Sequence, residues 1–174
     1  MRRKERDSWN KISTSLIKKI NNNKGAKFFI RNNSSFENWI QVELVGLLIG
    51  EFCGNIEIEK EENNNADIKC DGKCIEVKIS GKKCRGVAGK ENSILSDLLK
   101  KTTGYVVALG LDLEGSDWSR KHFVKENNEW KFIPTEEPYK CDFVTYNEFQ
   151  IENMKCAVVV IKNKDEYSGN KEGE

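Results

Sequence analysis

Trp9, Ile12, Leu16, Ile17 and Ile20 recur at helical spacing, with Asp7 or Ser8 placed to cap the start and Asn21 to Gly25 placed to end the segment. This pattern predicts an amphipathic first helix. Lys27 to Arg31 reads as a short apolar link, and Asn32 to Ser35 supplies the next N-cap. A second helix is expected from about Phe36 to Phe52, closed by Gly54 at the C′ position. Phe36, Trp39, Ile40, Leu44, Leu47 and Leu48 form one stripe of it, and Val42, Val45, Ile49 and Phe52 a second flank. Little of such a helix can face water, so it should be sandwiched between a sheet and another element.

Three strands are then expected, at Asn55 to about Glu61, Ala66 to Cys70 and Cys74 to Ser80. A Gly-containing basic loop follows over Lys82 to Lys90, then a helix over Asn92 to Lys101 that buries Ile94, Leu95, Leu98 and Leu99. Tyr105 to Leu111 is continuously apolar and reads as a buried strand. Further on, His122 to Glu126 and Glu129 to Ile133 suggest a hairpin, and Cys156 to Lys162 a last strand. The expected fold is α/β, a central mixed sheet flanked by helices, with an N-terminal helix and C-terminal strands added. It forms one domain over residues 1–162, and 163–174, lacking a core pattern, are expected to be a disordered tail.

Composition changes this picture little. At 174 residues the chain suits one domain, and 29 basic against 28 acidic side chains give a net charge of only +1. Any affinity for nucleic acid must therefore come from local patches: Lys18, Lys19, Lys24, Lys27 and Arg31; Lys82, Lys83, Arg85 and Lys90; or Lys100 and Lys101. No apolar run approaches the roughly 20 residues of a membrane span, and the N-terminus leads into no signal-peptide segment, so a cytoplasmic protein without a membrane partner is expected. The six cysteines then read as reduced thiols.

The chemistry is concentrated in the second and third strands. Asp71-Gly72 is a preferred two-residue type I′ turn, which sets Cys70 opposite Lys73, Ile68 opposite Ile75 and Asp67 opposite Glu76. Ile68, Ile75, Ala66 and Val77 share one face; Asp67, Glu76 and Lys78 share the other. Carboxylates directly opposed across a ladder repel each other. A divalent cation removes the conflict, and hard oxygen ligands suit Mg²⁺, which binds through one or two carboxylates and retains waters and phosphate oxygens. Lys78 points the same way as Glu76 and can orient a metal-bound water or offset charge in the transition state. Glu43 lies within the apolar pattern of the second helix, where a carboxylate is costly unless paired or metal-bound. If that stripe packs on the sheet, Glu43 reaches the same site.

Glu43 in a helix, then Ala66-Asp67, then Glu76-Val77-Lys78, in the order helix, three strands, helix, strand, resembles the PD-(D/E)XK superfamily of restriction-endonuclease-like proteins over roughly Phe36 to Leu111. The resemblance implies a Mg²⁺- or Mn²⁺-dependent nuclease, with DNA the more usual substrate. It implies that Asp67 and Glu76 hold the metal, that the Val77 carbonyl adds a ligand, that Lys78 positions the attacking water, and that Glu43 is the acidic residue of the helix. Ala66 replaces the proline that names the family. Lys82, Lys83 and Arg85 follow the site closely and are expected to contact phosphates. A homodimer is expected, because one small subunit with one site cuts one strand.

Other motifs carry less. The hairpin register puts Cys70 and Cys74 on opposite faces, which disfavours a shared zinc with Cys84. Gly81 to Lys90 lacks the glycine and the Ser or Thr of a phosphate-binding loop. His122 is the only histidine, and it, Trp118 and Trp130 are expected to be structural.

Overall fold

The first helical pattern becomes α1 (Arg3–Asn22), which buries Trp9, Ile12, Ser13, Leu16 and Ile20 along one side. In this computed structural model the described residues are 3–31, 36–52, 56–58, 68–71, 73–80, 104–111, 123–126, 129–132 and 141–163. Helix α1 begins a turn before the expected cap at Asp7 or Ser8, because tertiary contacts hold its first turn. Glu5 accepts a hydrogen bond from the Tyr105 hydroxyl and pairs with Lys162 at 3.1 Å and Lys73 at 3.6 Å.

The expected link at Lys27 to Arg31 is instead the end of a second helix, α2 (Lys24–Arg31). Asn23 makes the break: its backbone N–H closes α1 onto Ile20, and its side-chain oxygen accepts the Ala26 N–H at 3.0 Å as the N-cap of α2. Ala26 and Ile30, one turn apart, are the residues that α2 buries.

Helix α3 (Glu37–Phe52) lies where the pattern placed it and packs against both α1 and the sheet. Ile40, Leu44 and Leu48 are buried, while Val42 is 69% and Ile49 54% exposed. The sheet and α1 bury one stripe of this helix; of its second flank Val45 and Phe52 pack partly against the same core, and Val42 and Ile49 face outward.

Three short antiparallel strands follow, β1 (Ile56–Ile58), β2 (Ile68–Cys70) and β3 (Lys73–Ser80), then β4 (Gly104–Gly110), which runs parallel to β3. Residues 81–103, between β3 and β4, lie outside the described residues. The helix expected at Asn92 to Lys101 falls in that stretch. β5 (Phe123–Glu126) and β6 (Glu129–Phe132) form the expected hairpin as a separate two-stranded sheet.

Sequence reading missed β7 (Cys141–Ile151), which pairs antiparallel with β8 (Met154–Asn163). The register slips between Phe143 and Thr145, a bulge that breaks the alternation by which a strand is recognised. The turn at Glu152 and Asn153 lacks a glycine, so Glu152 itself takes the positive φ of 53°. The main sheet has the order β1-β2-β3-β4-β8-β7.

α1 and α3 cover one face of this sheet, where Ile75, Val77, Tyr105, Val107, Leu109, Val158 and Val160 join the helical residues in one core. The opposite face carries Val106, Ala108, Ala157, Val159 and Ile161, which are buried too, and on β3 it carries Glu76 and Lys78. No described helix is long and apolar enough to cross a membrane.

Candidate active site

The hairpin that carries the site has the register derived from its turn. Ile68 lies opposite Ile75, Lys69 opposite Cys74 and Cys70 opposite Lys73, and Asp71 takes the left-handed φ of 49° that a type I′ turn requires. Asp67 lies outside the described residues.

β3 is fixed on its other side by β4. Glu76 is level with Val106 and Lys78 with Ala108, so apolar neighbours flank both charged side chains on that face. Gly104 permits this pairing to start: a Cβ there would collide with the carbonyl of Cys74. A backbone approach this close admits only glycine. Ile75 and Val77 anchor the strand from the covered face, at 1% and 0% exposure.

With the backbone held in this way, Glu76 and Lys78 project together from alternate positions. Lys78 Nζ lies 2.7 Å from Glu76 Oε1, an ion pair with the carboxylate 16% and the lysine 32% exposed. Partial burial makes this a stronger contact than a free surface pair, and it holds the ammonium beside the carboxylate. Glu37, the first residue of α3, also approaches, with its Oε1 3.9 Å from Lys78 Nζ.

Glu43 is placed elsewhere. Its carboxylate pairs with Lys19 of α1 at 2.6 Å, on the wall of a cleft formed with Trp39 and the α1–α2 junction. Of Glu37 and Glu43 it is Glu37 that comes within ion-pair distance of Lys78. Sequence reasoning overlooked Glu37 because an acidic residue in the first turn of a helix is sufficiently explained by the helix dipole.

Lys82, Lys83, Arg85, His122 and Trp118 lie outside the described residues. Cys70 is buried and Cys74 partly exposed, in the opposite-face arrangement expected of them, and both are free thiols. Burial, with the charge of Asp71 second, pushes the Cys70 thiol above its usual value and keeps it neutral. Among the described residues no three His, Cys, Asp or Glu side chains group as a metal site, and that set includes Glu76 but not Asp67. The donors that do face this site are carboxylate oxygens, which suit Mg²⁺ or Mn²⁺ better than a thiophilic ion. Comparison with known proteins finds no family model, no curated protein and no solved structure that matches this chain.

Proposed function

We propose that this chain is a divalent-metal-dependent nuclease of the PD-(D/E)XK type. The observation that carries the reading is the Glu76–Lys78 contact at 2.7 Å, on the charged face of a strand whose hairpin with β2 has the register set by the Asp71 turn. The order α3, β1, β2, β3, β4, with the first three strands antiparallel and the fourth parallel to the third, supports the same reading.

In this proposal Asp67, Glu76 and the Val77 carbonyl hold Mg²⁺ or Mn²⁺. The bound ion supplies Lewis acidity toward a phosphodiester and lowers the pKa of water. Lys78, kept beside Glu76, orients the attacking water by hydrogen bonding and faces the charge that develops on the phosphoryl oxygens. An α3 carboxylate completes the site, and Glu37 is the better placed. Glu43, expected in that role, is held by Lys19. DNA is the substrate the resemblance favours, and cutting both strands of a duplex calls for a second copy of the chain.

The test is incubation with circular duplex, linear duplex, single-stranded DNA and RNA, with Mg²⁺, with Mn²⁺ and with EDTA, beside Lys78→Ala. Metal-dependent hydrolysis that is absent in EDTA and in the variant is expected. Equal hydrolysis by wild type and folded Lys78→Ala would overturn the proposal. Metal-independent binding without cleavage of any substrate would instead mark a non-catalytic binding module.

A further inference from the structure

Where α1 ends and α2 begins, the chain turns beneath Trp39 and leaves an open cleft of about 540 Å³, lined by Lys18, Lys19, Asn22, Lys24, Trp39 and Glu43. Three lysines face one glutamate there. Lys18 and Lys24 are exposed, whereas Lys19 is tied to Glu43 at 2.6 Å.

The walls of the cleft are built. Asn23 fixes the angle between the helices by closing α1 and capping α2. Trp39 is packed in part against the hydrophobic core, so its ring is held while some of its surface remains open to the cleft. Cations that neutralise phosphates beside a held aromatic ring are the combination that binds unpaired nucleotides. The charges track the backbone, and the ring stacks on a base whatever its identity. A base inside a duplex has no free face to offer.

We infer that this cleft binds a single-stranded segment of nucleic acid, with Lys18 and Lys24 on phosphates and Trp39 stacked on a base. The inference rests on the nuclease reading only in naming the same class of substrate; the binding itself needs no metal and no catalysis. It gives Glu43 a different role from the expected one: the carboxylate positions Lys19 and moderates the positive charge of the cleft.

The experiment is fluorescence anisotropy of a labelled oligothymidylate of about 15 nucleotides, titrated with the full chain in EDTA at several salt concentrations. Lys18→Ala/Lys24→Ala should weaken binding at low salt. It should also flatten the slope of log affinity against log salt by about 1.4, at roughly 0.7 per lost phosphate contact on a single strand. Trp39→Leu should weaken binding by roughly tenfold with little change in slope, as loss of one stacked base does. Glu43→Gln should tighten binding by freeing Lys19.

Unchanged affinity and slope in the double lysine variant overturns the inference. That result is independent of any effect of Trp39→Leu on folding, because both lysines are on the surface. Preference for duplex over single strand would also overturn it. Cleft-dependent binding with no cleavage under any metal condition would sink the nuclease reading and leave the cleft assignment standing. Metal-dependent cleavage by a chain whose binding ignores all three variants would do the reverse.

Discussion

β3 carries a charged cluster toward each end, and the two differ in their balance of cations and carboxylates. At the start, Lys73 and Lys162 flank the Tyr105 ring, each ammonium 5.7 Å from its centroid, and both pair with Glu5, which also accepts the tyrosine hydroxyl. One carboxylate there is surrounded by donors. Further along the same strand, Lys78 lies between Glu76 and Glu37, so a single ammonium faces two carboxylates. A donor-rich cluster around one acid pins α1 to the sheet. An acid-rich one costs stability unless a cation joins it. The same two residue types therefore do structural work at one end of the strand and, in our proposal, chemical work at the other.

The widest expected separation between the two ends is in activity. Asp67→Ala, Glu76→Ala and Lys78→Ala should each lower metal-dependent hydrolysis by about a hundredfold or more, while circular dichroism shows folded protein. Glu5→Gln and Lys73→Ala, normalised to folded protein, should retain it. Within α3, Glu37→Gln should cost more activity than Glu43→Gln; the opposite order would return Glu43 to the site.

Stability should separate the ends in the other direction. Gly104→Ala forces a Cβ into the Cys74 carbonyl at the point where β3 and β4 first pair, and a loss of about 2–4 kcal/mol in urea denaturation is expected. A neutral result would show that this pairing can slide without cost. Glu5→Gln should lose about 1–3 kcal/mol, since it weakens charge-assisted bonds from Tyr105 and Lys162 to a carboxylate only 15% exposed, with the exposed Lys73 adding little.

The smallest effect is also the most diagnostic. Without metal, Asp67→Asn should be as stable as wild type or more so, because it relieves repulsion at the acid-rich end. With Mg²⁺ or Mn²⁺ at ten times its Kd, wild type should gain about 1.4 kcal/mol, or roughly 3 °C in Tm, and the variant should largely lose that gain. Marked destabilisation of the metal-free variant with the metal shift intact would make Asp67 a structural residue.

Local chemistry alone determined the parts of the molecule nearest the proposed reaction. The Asp71-Gly72 turn dictated the β2–β3 register, because a two-residue type I′ turn admits one pairing and strand alternation then assigns every side chain to a face. The buried stripes of α1 and α3 followed from 3.6-residue periodicity, and β4 from its unbroken apolar run. Other features depended on contacts between residues far apart in sequence. Glu5 lengthened α1 because Tyr105, Lys73 and Lys162 were there to meet it. Glu37 and Glu43 differ little as sequence, and only the docking of α3 against α1 gave one to Lys78 and the other to Lys19. β7 was hidden because a bulge and a turn without glycine erased its local signals, and its pairing along β8 made it a strand. Periodicity reports which residues must leave water, but the partner that each meets is settled when the elements pack.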